Sequence, residues 1–253
     1  KNPEDTIRYT AVSNDFKLLP GNILAYWISD ATKQIFLNSK ELNLIAEPKQ
    51  GLATSNNDRF LREWWEVDYL KESLDDSSKN VKWYPYNKGG QYRKWYGNND
   101  YVVNWENSGY EIKHVTKNGR LASRPQNINY YFKECITWSK ISSGDIAFRF
   151  KPAGHIFDVA GTSIFCESQD ELKYLQGLLN SNVIMHVASF ISPTLNYEVG
   201  QVATYPIVES NEKKNEIIEI VSDCRKLSKD DWDDYETSWD FKTHPLGCYC
   251  ANI

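Results

Sequence analysis

The hydrophobic pattern of the chain changes at Ser168, and this change constrains the fold more than any other feature of the sequence. Before Ser168, β-branched and aromatic runs between Gly, Asn and Ser turns predict strands over residues 101–105, 111–116, 145–150 and 162–166. After it, apolar residues recur at helical spacing. Strands followed by helices predict a mixed fold of the α+β or α/β class, in which a twisted β-sheet carries flanking helices and a helical C-terminal extension.

Three helices are predicted from Ser168 onward. Ser168 and Glu171 have the spacing of a capping box, and the leucines that follow share one helical face. A break is predicted at Asn180–Ser181, followed by a second helix, NVIMHVASFI, that ends before Pro193. The third is an amphipathic helix over residues 211–227.

Other segments carry weaker signals. Asp30 is placed to cap a short helix over residues 30–38, and residues 76–100, rich in Asn, Gly and Tyr, are the most loop-like part. The SPTLNYEVGQ segment (192–201) predicts a turn and a strand that returns the chain to the sheet, and the alternative for this segment is a position near DNA. In the acidic tail, Trp232 and Trp239 are expected to anchor the chain on the body or on another domain.

Length and composition indicate a globular protein. A chain of 253 residues buries roughly 70–75% of its unfolded surface, so it needs no disulfide or metal to form a core. Mean hydropathy is −0.60, and the sequence has no apolar run near 18 residues and no secretion signal. A cytoplasmic location is therefore expected. Because the sequence begins with Lys1 rather than Met, we interpret it as part of a longer protein.

The usual signatures of catalytic and metal sites are absent from the sequence. The five cysteines lack any Cys-x-x-Cys spacing and are read as buried free thiols, and the four histidines are scattered. We find no glycine-rich phosphate loop and no nucleophile elbow. Adjacent acids, such as Asp75–Asp76 and the run at 230–234, are interpreted as solvated faces. We therefore predict no catalytic, metal or cofactor-binding residue in this chain.

Charge is distributed unevenly along the chain, although the net charge is only −5. Residues 82–151 hold twelve Lys or Arg against five acids, a net charge of +7. Residues 209–240 hold eleven acids against five bases, a net charge of −6. The middle of the chain is therefore expected to face a polyanion, and the tail is not.

Two clusters in the basic segment have the composition of a nucleic-acid interface. KWYPYNKGGQYRKWYG (82–97) interleaves Lys88, Arg93 and Lys94 with aromatic residues, and these three cations are proposed on phosphates. An alternative reading gives the aromatic residues to the core and the cations to solvent.

The second cluster, RLASRPQNINYYF (120–132), offers side chains that suit phosphates or base edges. Arginine pairs with guanine, and Gln or Asn pairs with adenine. The proposed contacts are Arg120, Arg124, Gln126 and Asn127, which are also ordinary turn residues.

Six longer blocks occur in a fixed order along the chain. They are KWYPYNKGGQYRKWYGNNDYVVNWENSGYEI (82–112), RPQN (124–127), ITWSKIS (136–142), LLNSN (178–182), SPTLNYEVGQVATYPI (192–207) and DWDDYETSWDFKTHPL (231–246). Through these blocks the chain resembles, from Phe16 to Leu246, the C-terminal part of BREX-type (PglX-like) phage-defence adenine-specific DNA methyltransferases, relatives of type IIG restriction-modification enzymes.

The resemblance implies a division of labour. In that family an upstream domain binds S-adenosylmethionine and carries the Asn-Pro-Pro-Tyr motif that methylates adenine N6, and this motif is absent here. The chain is expected to be target-recognition-domain-like: residues 1–208 recognise duplex DNA, and residues 209–253 form a helical, acidic extension packed on the same domain. Expected partners are double-stranded DNA, the upstream methyltransferase domain and other phage-defence proteins, without a membrane. The chain alone is expected to be non-catalytic, and its cofactor to lie in the upstream domain.

Two other classes of function stay open. A protein-interaction module of the defence complex would use the acidic tail and exposed aromatic residues. A carbohydrate-binding module would use the same Trp, Tyr and Asn loops, but it would not need a +7 segment.

Overall fold

The computed structural model describes residues 19–74 and 80–250. Its helices, in chain order, are α1 (Asp30–Leu37), α2 (Asn57–Phe60), α3 (Glu106–Lys113), α4 (Gln169–Leu179), α5 (Asn182–Ile191), α6 (Val199–Val202), α7 (Lys214–Asp233) and α8 (Pro245–Cys250). Its strands are β1 (Lys40–Glu41), β2 (Glu47–Lys49), β3 (Leu61–Glu63), β4 (Trp83–Asn87), β5 (Tyr101–Asn104), β6 (Thr116–Lys117), β7 (Arg120–Leu121), β8 (Cys135–Thr137), β9 (Arg149–Lys151), β10 (Ile156–Phe157), β11 (Ser163–Phe165) and β12 (Pro206–Ile207). The expected mixed α+β class is confirmed.

The strands form two four-stranded sheets and two short pairs. The first sheet has the order β10-β4-β5-β3, with β10 parallel to β4 and the other neighbours antiparallel. The second, β2-β11-β8-β9, is antiparallel throughout. The pairs are β1 with β12 and β6 with β7.

Each sheet has its own apolar core. The core of the first sheet is aromatic and includes Tyr84, Tyr86, Trp105 and Phe157. Helices α4 and α5 pack on the second sheet and share a core with it, built from residues such as Trp138, Ile164, Leu175, Leu179 and Phe190. The interleaved tyrosines of residues 82–97 are thus largely core residues, because Tyr84, Tyr86 and Tyr96 are all buried.

Helix α7 packs against α4. A Cβ on Gly177 of α4 would come within 2.8 Å of the Ile217 side chain, so the two helices approach more closely there than a larger residue would allow. Val221 of α7 is buried in the same contact region.

Several predicted elements are confirmed. Helix α1 and strands β5 and β11 lie within residues 30–38, 101–105 and 162–166. Helices α4 and α5 are separated at Asn180–Ser181, where the Ser181 hydroxyl accepts a hydrogen bond from the Ile184 N–H.

The strand predicted over residues 111–116 is wrong, because α3 occupies the first half of this range and β6 begins only at Thr116. Asn104 Oδ1 accepts a hydrogen bond from the Glu106 N–H at 3.2 Å, which turns the chain directly after β5. The turn continues through three residues with positive φ, Asn107–Gly109, and Ile112 is then fully buried. Ile112 is therefore buried on one face of a helix, rather than on one face of a strand as predicted.

Other boundaries also differ from the prediction. The strand predicted over 145–150 is β9 and starts only at Arg149, because Phe148 hydrogen bonds through its backbone N–H and C=O to the Asn180 side chain. The third helix is α7, which begins later and ends later than residues 211–227. Neither predicted cap forms as expected: Ser168 makes no side-chain capping bond, and Ser29, rather than Asp30, caps α1.

Two segments predicted from turn residues also need correction. Residues 76–100 contain strand β4, while residues 75–79, with the Asp75–Asp76 pair, lie outside the described residues. The 192–201 segment enters helix α6 rather than a strand, and the chain rejoins β1 only at β12.

Strand β9 carries two cations into the protein interior. Arg149 and Lys151 are 1% and 0% exposed. Lys151 Nζ donates to the backbone oxygens of Gly97 at 2.9 Å and Asn98 at 2.8 Å, and to the side-chain oxygen of Asn99. Burial lowers the pKa of Lys151 to about 7, whereas its oxygen acceptors favour the charged ammonium.

Arg149 fixes the same loop from its other end. Its Nη1 donates to the Arg93 carbonyl oxygen at 3.3 Å, and its Nη2 donates to Ser139 Oγ at 3.0 Å. Ser139 in turn donates to the Gly90 carbonyl oxygen at 2.8 Å. The side chains of Ser139, Arg149 and Lys151 therefore hold residues 90–99 in place.

We expect Lys151→Met to lower the free energy of unfolding by about 2–4 kcal/mol, because three buried oxygen acceptors lose their donor. Urea denaturation followed by circular dichroism measures this loss. Lys173→Met on α4 is the control and should change stability by less than about 0.5 kcal/mol. Equal effects of the two substitutions would contradict the role given to Lys151.

Candidate nucleic-acid interface

Arg93 makes several contacts with helix α7. Its guanidinium lies over the Trp232 ring at 5.1 Å, forms an ion pair with Asp231 and donates to the Ser228 carbonyl oxygen at 3.4 Å. A further bond joins Arg93 Nε to the Tyr96 carbonyl oxygen at 3.1 Å. Arg93 thus connects the 90–99 loop to the acidic tail.

Lys94 and Lys88 also have partners within the protein. Lys94 Nζ donates to the Asn180 carbonyl oxygen at 3.0 Å, at the junction of α4 and α5. Lys88 is 28% exposed and lies 3.9 Å from the buried Asp158 carboxylate. The structure therefore places Lys94 against the helices and leaves Lys88 partly accessible.

Residues 116–121 form a hairpin, which we call the basic hairpin. It pairs Thr116 with Leu121 and Lys117 with Arg120. The connecting residues Asn118 and Gly119 have φ angles of 53° and 74°, as a two-residue type I′ turn requires. Nothing lies within 4 Å of the position of a Cβ on Gly119, so the tip projects freely.

The basic hairpin presents exposed cations. Lys117 and Arg120 are exposed, and within the described parts of the chain neither has an ion pair or a side-chain hydrogen bond. The two side chains face the same side because they form one cross-strand pair. Exposed rings lie at the base of the hairpin, where Tyr110 and His114 stack at 4.3 Å.

Arg124 extends this surface away from the hairpin. Its backbone pairs with Ala53, and its side chain is exposed, with no partner among residues 19–74 and 80–250. Asn127 Nδ2 donates to the Gln50 carbonyl oxygen at 2.8 Å, and Gln126 Nε2 donates to that of Gly51 at 3.5 Å. These two amides hold the 124–127 segment against residues 50–53.

Lys88 and Arg124 are linked indirectly, through one ion pair and two backbone bridges. Leu52 pairs with Asp158, the partner of Lys88, and the adjacent Ala53 pairs with Arg124. The Lys88 side chain itself lines a surface groove with acidic residues of the 58–66 segment, and Arg93 and Lys94 lie against the C-terminal helices.

The +7 charge of residues 82–151 therefore does not form one basic face. Arg149 and Lys151 are buried, and Lys88, Arg93 and Lys140 pair with Asp158, Asp231 and Glu198, which all lie outside that segment. The alternative reading of residues 82–97 thus holds only in part: Tyr84, Tyr86 and Tyr96 belong to the core, but the three proposed contact cations are bonded to the protein rather than left to solvent.

Lys117 was missed as a candidate. The available signal was the Asn-Gly dipeptide in TKNGRL (116–121), which is typical of a two-residue hairpin. Such a hairpin places its flanking residues in register, so Lys117 and Arg120 could have been paired from the sequence.

Other chemistry is not assembled in the described part of the chain. No group of three His, Cys, Asp or Glu side chains there is arranged to hold a metal ion. Cys135, Cys166 and Cys224 are free thiols. No helix among these residues is both long and apolar enough to cross a bilayer.

Comparison with known proteins identifies relatives of the chain. It is 35% identical over 253 residues to the adenine-specific methyltransferase PglX of Lacticaseibacillus casei (strain Zhang), a match that covers 97% of this chain and 21% of that protein. It is 38% identical over 246 residues to the adenine-specific methyltransferase BrxX of Escherichia coli O9:H4 (strain HS), with 96% and 19% covered. No protein-family model matches.

The chain is thus similar, over nearly its whole length, to one region of adenine-specific methyltransferases. This similarity confirms the resemblance to PglX-like methyltransferases stated from the sequence. The chain spans about a fifth of the length of the relatives it matches.

We expect Arg93→Ala to lower the free energy of unfolding by about 1–3 kcal/mol, because it removes an ion pair, a cation–π contact and bonds to two carbonyl oxygens. Arg120→Ala, at an exposed position, should change it by less than about 0.5 kcal/mol. Thermal and urea unfolding of both variants measure this contrast. If Arg120→Ala destabilised the protein as much as Arg93→Ala, Arg120 would not be a free surface cation.

Proposed function

We propose that the chain is the DNA-recognition region of an adenine-specific DNA methyltransferase of phage defence, and that the basic hairpin makes the principal contacts. The similarity to PglX and BrxX supports the association with adenine methylation. The exposed cations at residues 117, 120 and 124 support a polyanionic partner.

The observation that carries the proposal is the position of Lys117 directly opposite Arg120. Opposed like charges destabilise a strand pair, by about 0.2–1 kcal/mol. Bound phosphates would remove this repulsion. A two-stranded ribbon also fits the major groove of B-DNA, which is about 12 Å wide.

The remaining candidate residues have different proposed roles. Arg124 and the partly exposed Lys88 extend the contact along the 50–53 segment. Gln126 and Asn127 use their amide N–H groups within the protein, so we propose that they position this segment and offer their side-chain oxygens to bases. Contacts of Arg93 and Lys94 with phosphates stay a prediction, and such contacts would compete with their present bonds.

Methyl transfer is proposed to occur in a part of the protein outside this chain. That part would bind S-adenosylmethionine, which supplies the methyl group, while this region holds the duplex as adenine leaves the base stack. Duplex DNA, the methyltransferase domain and other defence proteins are the proposed partners. The proposed location is the cytoplasm.

The proposal predicts that replacing Lys117, Arg120 and Arg124 by Ala weakens duplex binding by about tenfold or more at low salt. The plot of log affinity against log salt concentration should lose about 2–3 units of slope, because each phosphate contact contributes about 0.9. Fluorescence anisotropy with a labelled duplex, titrated at several salt concentrations, measures both quantities.

A matched triple variant keeps the charge change equal. Lys173, Lys213 and Lys242 lie in the C-terminal helical part, and their replacement by Ala should leave the salt slope within 1 unit of the parent value. Equal losses from both triple variants, or no binding by the parent chain at low salt, would reject the basic hairpin. In the second case, a stable complex with a defence protein would favour the protein-interaction alternative.

A further inference from the structure

Helix α7 has an exposed side on which acidic and apolar residues alternate. Five positions, separated in turn by four and three residues, fall on one line along the helix. We call this line the outer stripe. Its members are Glu216, Ile220, Asp223, Leu227 and Asp230, and all five residues are exposed.

The contact of α7 with α4 uses other residues. Ile217 and Val221 approach Gly177 of α4, and Val221 is buried. Ile220 and Leu227 are instead 53% and 69% exposed and belong to neither apolar core. A single exposed apolar residue is ordinary, but two that lie one heptad apart on the same line have the spacing of a seam between paired helices. A second helix is therefore the element that fits this line.

Two acids of the outer stripe are not neutralised within the protein. Another acid of α7, Asp231, forms an ion pair with Arg93. Asp223 and Asp230 have no ion pair among residues 19–74 and 80–250. Their carboxylates are thus available to cations of a partner.

The other exposed charges of this side balance one another. The Glu216 carboxylate lies 2.9 Å from Lys213 Nζ, and both side chains are largely exposed, so this ion pair contributes little to stability. Glu219 and Lys226 are exposed and carry opposite charges. The two unpaired aspartates therefore leave the exposed side of α7 negative.

The combination of negative charge and apolar side chains restricts what can bind. Two copies of α7 paired through their outer stripes would bring two negative surfaces together. A nucleic acid would be repelled for the same reason. A wholly apolar partner would remove water from the aspartates without supplying a cation, which is costly. The partner must therefore present both cations and apolar side chains at helical spacing.

We propose that the outer stripe of α7 docks a helix of a separate protein, in which Lys or Arg alternates with Leu, Ile or Val along one line. Ile220 and Leu227 pack against the apolar residues of that helix, and Asp223 and Asp230 pair with its cations. This docking face is independent of the basic hairpin and of duplex recognition.

The unneutralised charge favours a separate protein over another part of the same polypeptide. Complementary charge accelerates the encounter with a partner that arrives by diffusion. A tethered domain is already held at a high effective concentration, so it gains little from such attraction.

A synthetic peptide probes the outer stripe. It contains three repeats of Leu-Ala-Gln-Lys-Ala-Ala-Gln, which place Leu and Lys alternately on one line of a helix. Fluorescence anisotropy of the labelled peptide, titrated with the chain at low salt, should give a Kd below about 1 mM that rises with salt, because the contact is partly electrostatic. Peptides with Glu in place of Lys, or Gln in place of Leu, should bind about tenfold more weakly.

Charge reversal on the outer stripe locates the binding. Asp223→Lys combined with Asp230→Lys should weaken peptide binding by about tenfold or more. Asp145→Lys combined with Glu167→Lys makes the same change of net charge at exposed loop residues outside α7. This matched variant should retain most of the affinity, and circular dichroism of both variants checks that they are folded.

The apolar members are tested in the same way. Ile220→Ser combined with Leu227→Ser should weaken peptide binding by about tenfold, because the partner loses two apolar contacts. Ile141→Ser combined with Leu195→Ser, at positions 64% and 60% exposed outside α7, should leave the affinity unchanged.

Thiol labelling of the full-length protein tests whether the partner is a separate molecule. With Leu227→Cys, alkylation at this position, followed by mass spectrometry of its proteolytic peptide, should be as fast in the full-length protein as in the isolated chain. Much slower alkylation in the full-length protein would show that another part of the same polypeptide covers the outer stripe, and would overturn the proposal.

The proposal also fails if the peptide does not bind the chain at about 1 mM and low salt, or if the matched variants lose as much affinity as the variants of the outer stripe. Duplex binding should be retained by the Ile220→Ser, Leu227→Ser variant, whose net charge is that of the parent. The failure of this proposal would therefore leave the proposed function standing.

Discussion

Two buried cations on one short strand, Arg149 and Lys151 of β9, hold the segment on which the rest of the molecule depends. Together they bind oxygens of residues 93, 97, 98 and 99. The loop so fixed presents Arg93 to α7, and α7 packs against α4. Burying an ammonium is favourable only when several oxygens replace its water, so the loop and the strand require each other.

This arrangement separates charge in the sequence from charge on the surface. Residues 82–151 are basic, yet much of that charge neutralises acids elsewhere or lies in the interior. Four cations of this segment are exposed, Lys117, Arg120, Arg124 and Lys133, and the first three follow shortly after α3. We therefore propose that a polyanion binds at the basic hairpin and Arg124 rather than along the whole basic segment.

Elements that depend on interactions between residues close in sequence could be predicted, whereas contacts between residues far apart in sequence could not. Helices α4 and α5 and their break depend on local periodicity and on the Ser181 cap, which the sequence displays directly. The helix over residues 106–113 depends on Asn104 and on a backbone turn with positive φ, which strand-like residues conceal. The partners of Arg93, Lys94 and Lys151 are far from them in sequence or belong to the backbone, so the sequence alone could not identify them. The Asn-Gly turn was an exception, a local signal that places Lys117 opposite Arg120.

We propose that DNA binds the basic hairpin and the adjoining 124–127 segment, while the bonds of Arg93 and Lys94 within the protein stabilise the fold. Hydrogen–deuterium exchange of the chain with and without a saturating duplex distinguishes the two surfaces, because it reports protection along the whole sequence. We expect reduced exchange in residues 116–127 and unchanged exchange in residues 90–99 and in α7. Protection of residues 90–99 with none in the basic hairpin would contradict this proposal.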